Sequence, residues 1–154
     1  MVIRQASGSD YQFIDDMLNI AIKKPSMGIG YPGGSLEDIQ QELLHIGKSI
    51  NDSLFVVEKD CLPIGIIGIY DAPWGLYLIG PTFSSEHHNL ENITKIIPTF
   101  FDLIRLREKT VIVDAKESNT AMINALTRLN FDHVYSGISM QLDISRCALR
   151  TYTQ

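Results

Sequence analysis

The stretch GPTFSSEHHNLEN, residues 80–92, gathers two serines, a glutamate and two adjacent histidines just ahead of a helical pattern. Hydroxyl groups and the free N–H groups of a helix start are anion donors. Imidazoles with an ordinary pKa of about 6.5 become partly cationic beside a phosphate. The chemistry these types suggest is therefore anion binding at a strand–helix junction. The run Glu86-His87-His88 also raises the question of a metal. Adjacent histidines point in different directions, and His45 and His133 lie far off in sequence, so a solvated loop and no metal are expected. A second glycine-rich segment, GIGYPG at residues 28–33, matches G-x-G-x-x-G. It follows a helical pattern rather than a strand and holds Pro32, whereas a dinucleotide fingerprint needs strand, turn and helix. It reads as a flexible loop.

The elements that must position these residues follow from periodicity. Residues 2–5, VIRQ, read as a short strand. A helix follows, with Ser9 and Gln12 as a capping box and Tyr11, Ile14, Leu18, Ala21 and Ile22 on one face. Pro25 ends it. Ser35 caps a second helix whose stripe is Leu36, Ile39, Leu43 and Leu44. Residues 53–58, 64–70 and 76–79 are strand-like runs joined by KDCLP and DAPWG turns, an antiparallel meander. From Leu90 to Ile104 the apolar residues have a helical period. Pro98 predicts a kink there, or a start delayed to Thr94. TVIVD, residues 110–114, is a buried-type strand. Ser118 caps a last helix, with Met122, Ala125, Leu126 and Leu129 inward and Asn130 as a left-handed stop. FDHVY and ISMQLD form a final strand pair, and the tail after Asp143 is polar.

The bulk numbers bound the class. A chain of 154 residues with 45% hydrophobic and 20% charged residues fits one domain with a real core, here residues 1–143, followed by a polar tail at 144–154. The formal net charge of −5 argues against binding nucleic acid by broad charge neutralisation. Cys61 and Cys147 stand in no ligand-like spacing and read as reduced thiols of a cytoplasmic protein. MVIRQASGSD has no apolar h-region, so no signal peptide is expected, and no stretch approaches the roughly 20 apolar residues of a membrane span.

The element order β-α-α-β-β-β-α-β-α-β-β, with three local phrases, resembles the GNAT superfamily of acyl-CoA-dependent N-acyltransferases. VIRQASGSDYQFIDDML is similar to that family's first strand and helix, and PIGIIGIYDAPWGLYLIGP to its third and fourth strands. ESNTAMINALTRLNF resembles its N-x-x-A-x-x-L-Y-x-x-x-G-F helix and following strand. The resemblance implies an α/β (α+β) fold, with a mixed, mostly antiparallel sheet of about seven strands and four flanking helices. It also implies that strands four and five splay, between residues 76–80 and 110–114, to admit the pantetheine arm of acetyl-CoA as co-substrate. A monomer or homodimer acting on a small-molecule or peptide amine is implied, with no nucleic acid or membrane partner.

The same resemblance assigns site residues. Laying V-x-P-x-x-R-x-x-G-x-G on this chain puts the valine at Ile79 and the proline at Pro81. The arginine falls at Ser84, and the glycines at His87 and Asn89. Glycine lets a backbone approach a phosphate closely, so the loop keeps its length and loses its chemistry. Cofactor contacts are implied for Ile79, Gly80, Phe83, Ser84, Ser85, His87, His88, Asn89 and Asn119. The position of the family's general-acid tyrosine is Leu126, which cannot donate a proton. By residue type, Tyr77 and Tyr135 are the candidates for acid, and Asp71, Asp114, Glu86 and the histidines are the nearest choices in sequence for base. The loop between the first two helices, with Tyr31 and Gly33, would border the acceptor site. The activity implied is N-acetyl (or short acyl) transfer by direct attack in a ternary complex. The alternative is a catalytically inactive protein of the same fold that senses acyl-CoA or serves as an interaction module.

Overall fold

Alternation along the central strands distributes their side chains between two separate cores, and this divides the molecule into three layers. The computed structural model describes residues 1–28, 35–72, 75–106, 110–134, 139–143 and 148–150. Strands β1 (Val2–Gln5), β2 (Leu54–Lys59), β3 (Leu62–Ala72) and β4 (Gly75–Phe83) form an antiparallel run. Strand β5 (Thr110–Asp114) lies parallel to β4, and β7 (Ser139–Asp143) lies antiparallel between β5 and β6 (Asp132–His133). The sheet order is β1-β2-β3-β4-β5-β7-β6. The two-residue turn between β2 and β3 has Asp60 and Cys61 both at positive φ, 53° and 64°, the backbone that a tight hairpin with right-handed twist requires.

Successive residues of a strand face opposite sides of a sheet. In β4, Leu76 and Leu78 join the core on one side and Tyr77 and Ile79 the core on the other. In β5, Val111 and Val113 go one way and Ile112 the other. Helices α4 (Leu90–Leu103) and α5 (Thr120–Arg128) cover the first side through Ile93, Ile96, Ile97, Phe100, Met122, Ala125 and Leu126. Helices α1 (Tyr11–Lys23) and α2 (Leu36–His45) cover the second through Ile14, Met17, Leu18, Ala21, Ile39 and Leu43. Ile22 and Leu44, expected inward, face outward at 46% and 66% exposure.

Several boundaries differ from the sequence expectation for local reasons. Ser7, not Ser9, starts the first helical segment: Ser7 and Asp10 form the capping box of a 3-10 turn (Gly8–Asp10) that leads into α1. That turn is tied to the sheet, because Arg4 donates to both carboxylate oxygens of Asp10 at 2.8 Å and to Glu58 at 2.7 Å. A short helix α3 (Ile50–Ser53) adds a fifth, capped by Ser49 with Asp52. Helix α4 starts at Leu90, not Thr94, since Asn89 accepts from Asn92 N at 2.9 Å. It runs on through Pro98, which sits on the exposed face where the carbonyl it frees can meet water. Asn119, not Ser118, caps α5, and Asn130 at φ 60° ends it as expected. Strand β8 (Ala148–Arg150) pairs with β7 inside the segment expected to be tail, and raises the strand count above seven.

Candidate active site

Two strands that begin together and then separate create the central feature. β4 and β5 pair at Leu76–Val111, Tyr77–Ile112 and Leu78–Val113, and the pairing ends there. Beyond that point β4 stays with β3, at Ile79–Gly68, Thr82–Ile66 and Phe83–Gly65. Gly80 and Pro81 therefore lie opposite the single residue Ile67, a bulge that turns β4 away from its parallel neighbour. Gly80 takes φ 77°, and a Cβ there would lie 2.9 Å from Thr82 N, so both conformation and space require glycine. The Gly80–Pro81 peptide is cis.

A polar cluster sits where the strands part, on the side of α1 and α2. Tyr77 is buried and its hydroxyl donates to Asp114 Oδ2, across from β4 to the last residue of β5. Its ring centroid lies 5.3 Å from that of Tyr70, its register partner on β3, at an interplanar angle of 34°. Burial pushes the Tyr77 phenol well above its ordinary value, and the Asp114 carboxylate pushes the same way. Tyr70 is likewise raised, by burial first and then by Glu42 of α2 and Asp114. Both phenols are therefore neutral donors across the physiological range. Two tyrosine faces flanked by two carboxylates form a surrounding suited to an ammonium group.

The loop from Ser84 to Asn89 is built differently. Ser84 N donates to Ile64 O at 2.8 Å, while Ser84 O accepts from His87 N and His88 N, both at 2.9 Å. Ser84 Oγ and His87 Nδ1 are 3.0 Å apart, and Asn92 Nδ2 donates to His87 O at 2.8 Å. Ser85 Oγ accepts from Lys24 Nζ at 3.1 Å, just past the end of α1. His88 Nε2 lies 2.9 Å from Asn119 Oδ1. That oxygen also accepts from Met122 N at 3.2 Å, so Nε2 is the protonated nitrogen. Asn119, at 1% exposure, completes its set by donating from Nδ2 to Gly28 O at 3.1 Å.

The sequence-derived candidates thus fall into groups. Tyr77 meets the parting strands. Ile79, Gly80 and Phe83 line β4, with Ile79 and Phe83 buried in opposite cores. Ser84, Ser85, His87, His88 and Asn89 form the loop, and Asn119 is its buried anchor. Asp71 is exposed opposite Leu76, at the end of the β3–β4 hairpin away from the parting. Tyr31, Gly33 and Tyr135 lie outside the described residues. Leu126 is fully buried in the core against α4. Tyr70, Glu42 and Lys24 were not singled out from sequence. Tyr70 was findable: counting inward from the DAPWG turn pairs it with Tyr77.

The resemblance implies coenzyme A, and the structure fits its two halves unequally. β4 and β5 stop pairing after Leu78–Val113, where the resemblance would put a narrow arm. The loop does not fit a diphosphate. Three of its N–H groups, at His87, His88 and Asn92, are already bonded within the loop and helix start. It carries the Glu86 carboxylate and no arginine. Among the described residues, no group of three or more His, Cys, Asp or Glu could hold a metal ion, and no helix is long and apolar enough to cross a membrane.

No family model and no curated protein matches the sequence. Solved structures do. A GNAT-family acetyltransferase from Streptococcus agalactiae is similar with a TM-score of 0.61 at 14% identity, over 99% of this chain and 96% of that one. Spermidine N-acetyltransferase from Vibrio cholerae, solved in complex with CoA and spermine, is similar with a TM-score of 0.56 at 15% identity, over 95% of this chain and 96% of that one. At these identities the likeness speaks for the backbone: this chain has the fold of the GNAT-family acetyltransferases.

Proposed function

We propose that the protein transfers an acyl group from a thioester to the amine of a small cationic acceptor. The observation that carries this reading is the Tyr77–Asp114 pair at the point where β4 and β5 part. The fold shared with acetyltransferases supports acyl transfer in general. The spermine held by the Vibrio cholerae enzyme suggests a small-molecule amine as the class of acceptor.

The chain's own groups meet the needs of the reaction. An ammonium acceptor settles beside the tilted Tyr70 and Tyr77 pair, against the carboxylates of Asp114 and Glu42. Asp114 takes a proton from it, directly or through one water, and leaves a neutral amine. Tyr77 keeps that carboxylate in place and cannot itself serve as base, because its phenol is held neutral. The amine nitrogen attacks the thioester carbonyl carbon. The C–N bond forms, the C–S bond breaks, and the thiolate leaves with its electron pair. A backbone N–H of β4 near Gly80 polarises the carbonyl; Pro81 has none to offer. Leu126 cannot protonate the thiolate, so the second proton of the attacking nitrogen reaches it through water, giving the neutral amide and the free thiol. Holding both reactants in the gap supplies most of the advantage.

A second reading, a binding protein that performs no transfer, is favoured by the internally bonded loop. Thiol release from acetyl-CoA across a panel of primary amines, polyamines included, separates the two. Amine-dependent release is expected. Donor binding without release for any amine would favour the second reading.

A further inference from the structure

Resting on the proposed transfer, we infer that the donor is held by its acyl-pantetheine arm alone and that the loop at residues 84–89 gives no grip on a diphosphate. The loop's hydrogen bonds carry this. Ser84 O holds the N–H groups of His87 and His88, and Asn89 Oδ1 holds that of Asn92. Each such donor turned toward a phosphate would abandon a bond of 2.9 Å already in place, so little is gained on binding.

Two of the loop's side chains, those of Ser85 and His88, are engaged elsewhere. Ser85 takes Lys24 from the end of α1 and lies 3.8 Å from Met27 Sδ. His88 is anchored to the buried Asn119, which also holds Gly28 and the first turn of α5. The segment acts as a strut joining three parts of the fold. The loop's own sequence adds the Glu86 carboxylate and no arginine. Side chains at 87 and 89, where glycines would let a phosphate close on the backbone, complete the obstruction. What remains for recognition is the uncharged arm between β4 and β5.

The test measures dissociation constants of acetyl-CoA and acetyl-pantetheine for the full chain by calorimetry, at low and moderate salt. Two charge-assisted hydrogen bonds to a diphosphate would separate the ligands by about 100-fold and make the acetyl-CoA value salt-dependent. The expected result is a difference below about ten-fold, with little salt dependence. A larger difference in favour of acetyl-CoA overturns the inference and leaves the proposed transfer standing. Binding of neither ligand overturns the proposed transfer, and the inference with it. A Ser84→Arg, His87→Gly, Asn89→Gly variant sharpens the result. It should tighten acetyl-CoA by about ten-fold or more and leave acetyl-pantetheine unchanged. Equal tightening of both ligands would count against the inference. The wild-type comparison stands without this variant.

Discussion

The two ends of the same strand treat their polar groups in opposite ways. Where β4 parts from β5, Tyr77 and Asp114 hold a hydroxyl and a carboxylate together beside Tyr70. A few residues on, after Phe83, the loop turns its N–H groups, histidines and serines onto its own backbone and onto neighbouring helices. The first arrangement joins a hydroxyl and a carboxylate across two strands. The second uses its donors to join elements. On the proposed reading, one half of the site keeps its chemistry while the other half serves as scaffold.

The largest effect is expected at the parting strands. Asp114→Asn should lower amine-dependent thiol release by about 100- to 1,000-fold, the range of a lost general base. Its melting temperature should move little, which calorimetry checks. A loss of stability to match the loss of rate would turn this region into scaffold as well and erase the contrast.

The loop should answer in stability. Asn119→Ala removes three hydrogen bonds from a residue at 1% exposure and strands the Met122 N–H at the start of α5. Urea unfolding should show a loss of about 2–4 kcal/mol. Asn89→Ala removes a single cap from α4 and should cost about 1 kcal/mol, with acetyl-pantetheine affinity unchanged.

The β1 corner offers a reference remote from both regions. The Arg4 guanidinium, bonded to both oxygens of Asp10, holds that carboxyl far below the usual carboxylate range, with Ser7 adding to the effect. A depressed folded pKa gives stability that is complete above the unfolded value of about 3.9 and is lost as pH falls through the folded one. Urea midpoints of the wild type should therefore drop from about pH 5 downward and keep dropping below about pH 2. Asp10→Asn should lower stability at neutral pH, flatten this acid dependence and leave thiol release alone.

Much of the fold was legible because its signals are local. Period-two runs gave the meander and period-3.6 stripes the four long helices, and Asn130 marked its stop. The misses trace to competing local choices. Ser7 and Ser9 both precede an amide that could be capped, and Asp10, tied to Arg4, favours Ser7. The SINDS segment carried a capping box for α3 that drew no helix expectation, and its last residue, Ser53, was read into the following strand. The site was less legible, since its key contact joins residues 77 and 114 from different strands. Register after the parallel crossover is not written in any local pattern. The loss of loop glycines could be read from the sequence. That the N–H groups had found partners inside the loop could not, because hydrogen bonding there depends on the backbone path.

The most direct measurement follows thiol release from saturating acetyl-CoA with and without a polyamine, for the wild type and Asp114→Asn side by side, with donor affinity measured for both. The account predicts amine-dependent release by the wild type, a loss of about 100-fold or more in the variant, and equal donor affinities. Amine-independent rates, or equal rates from the two proteins, would contradict it.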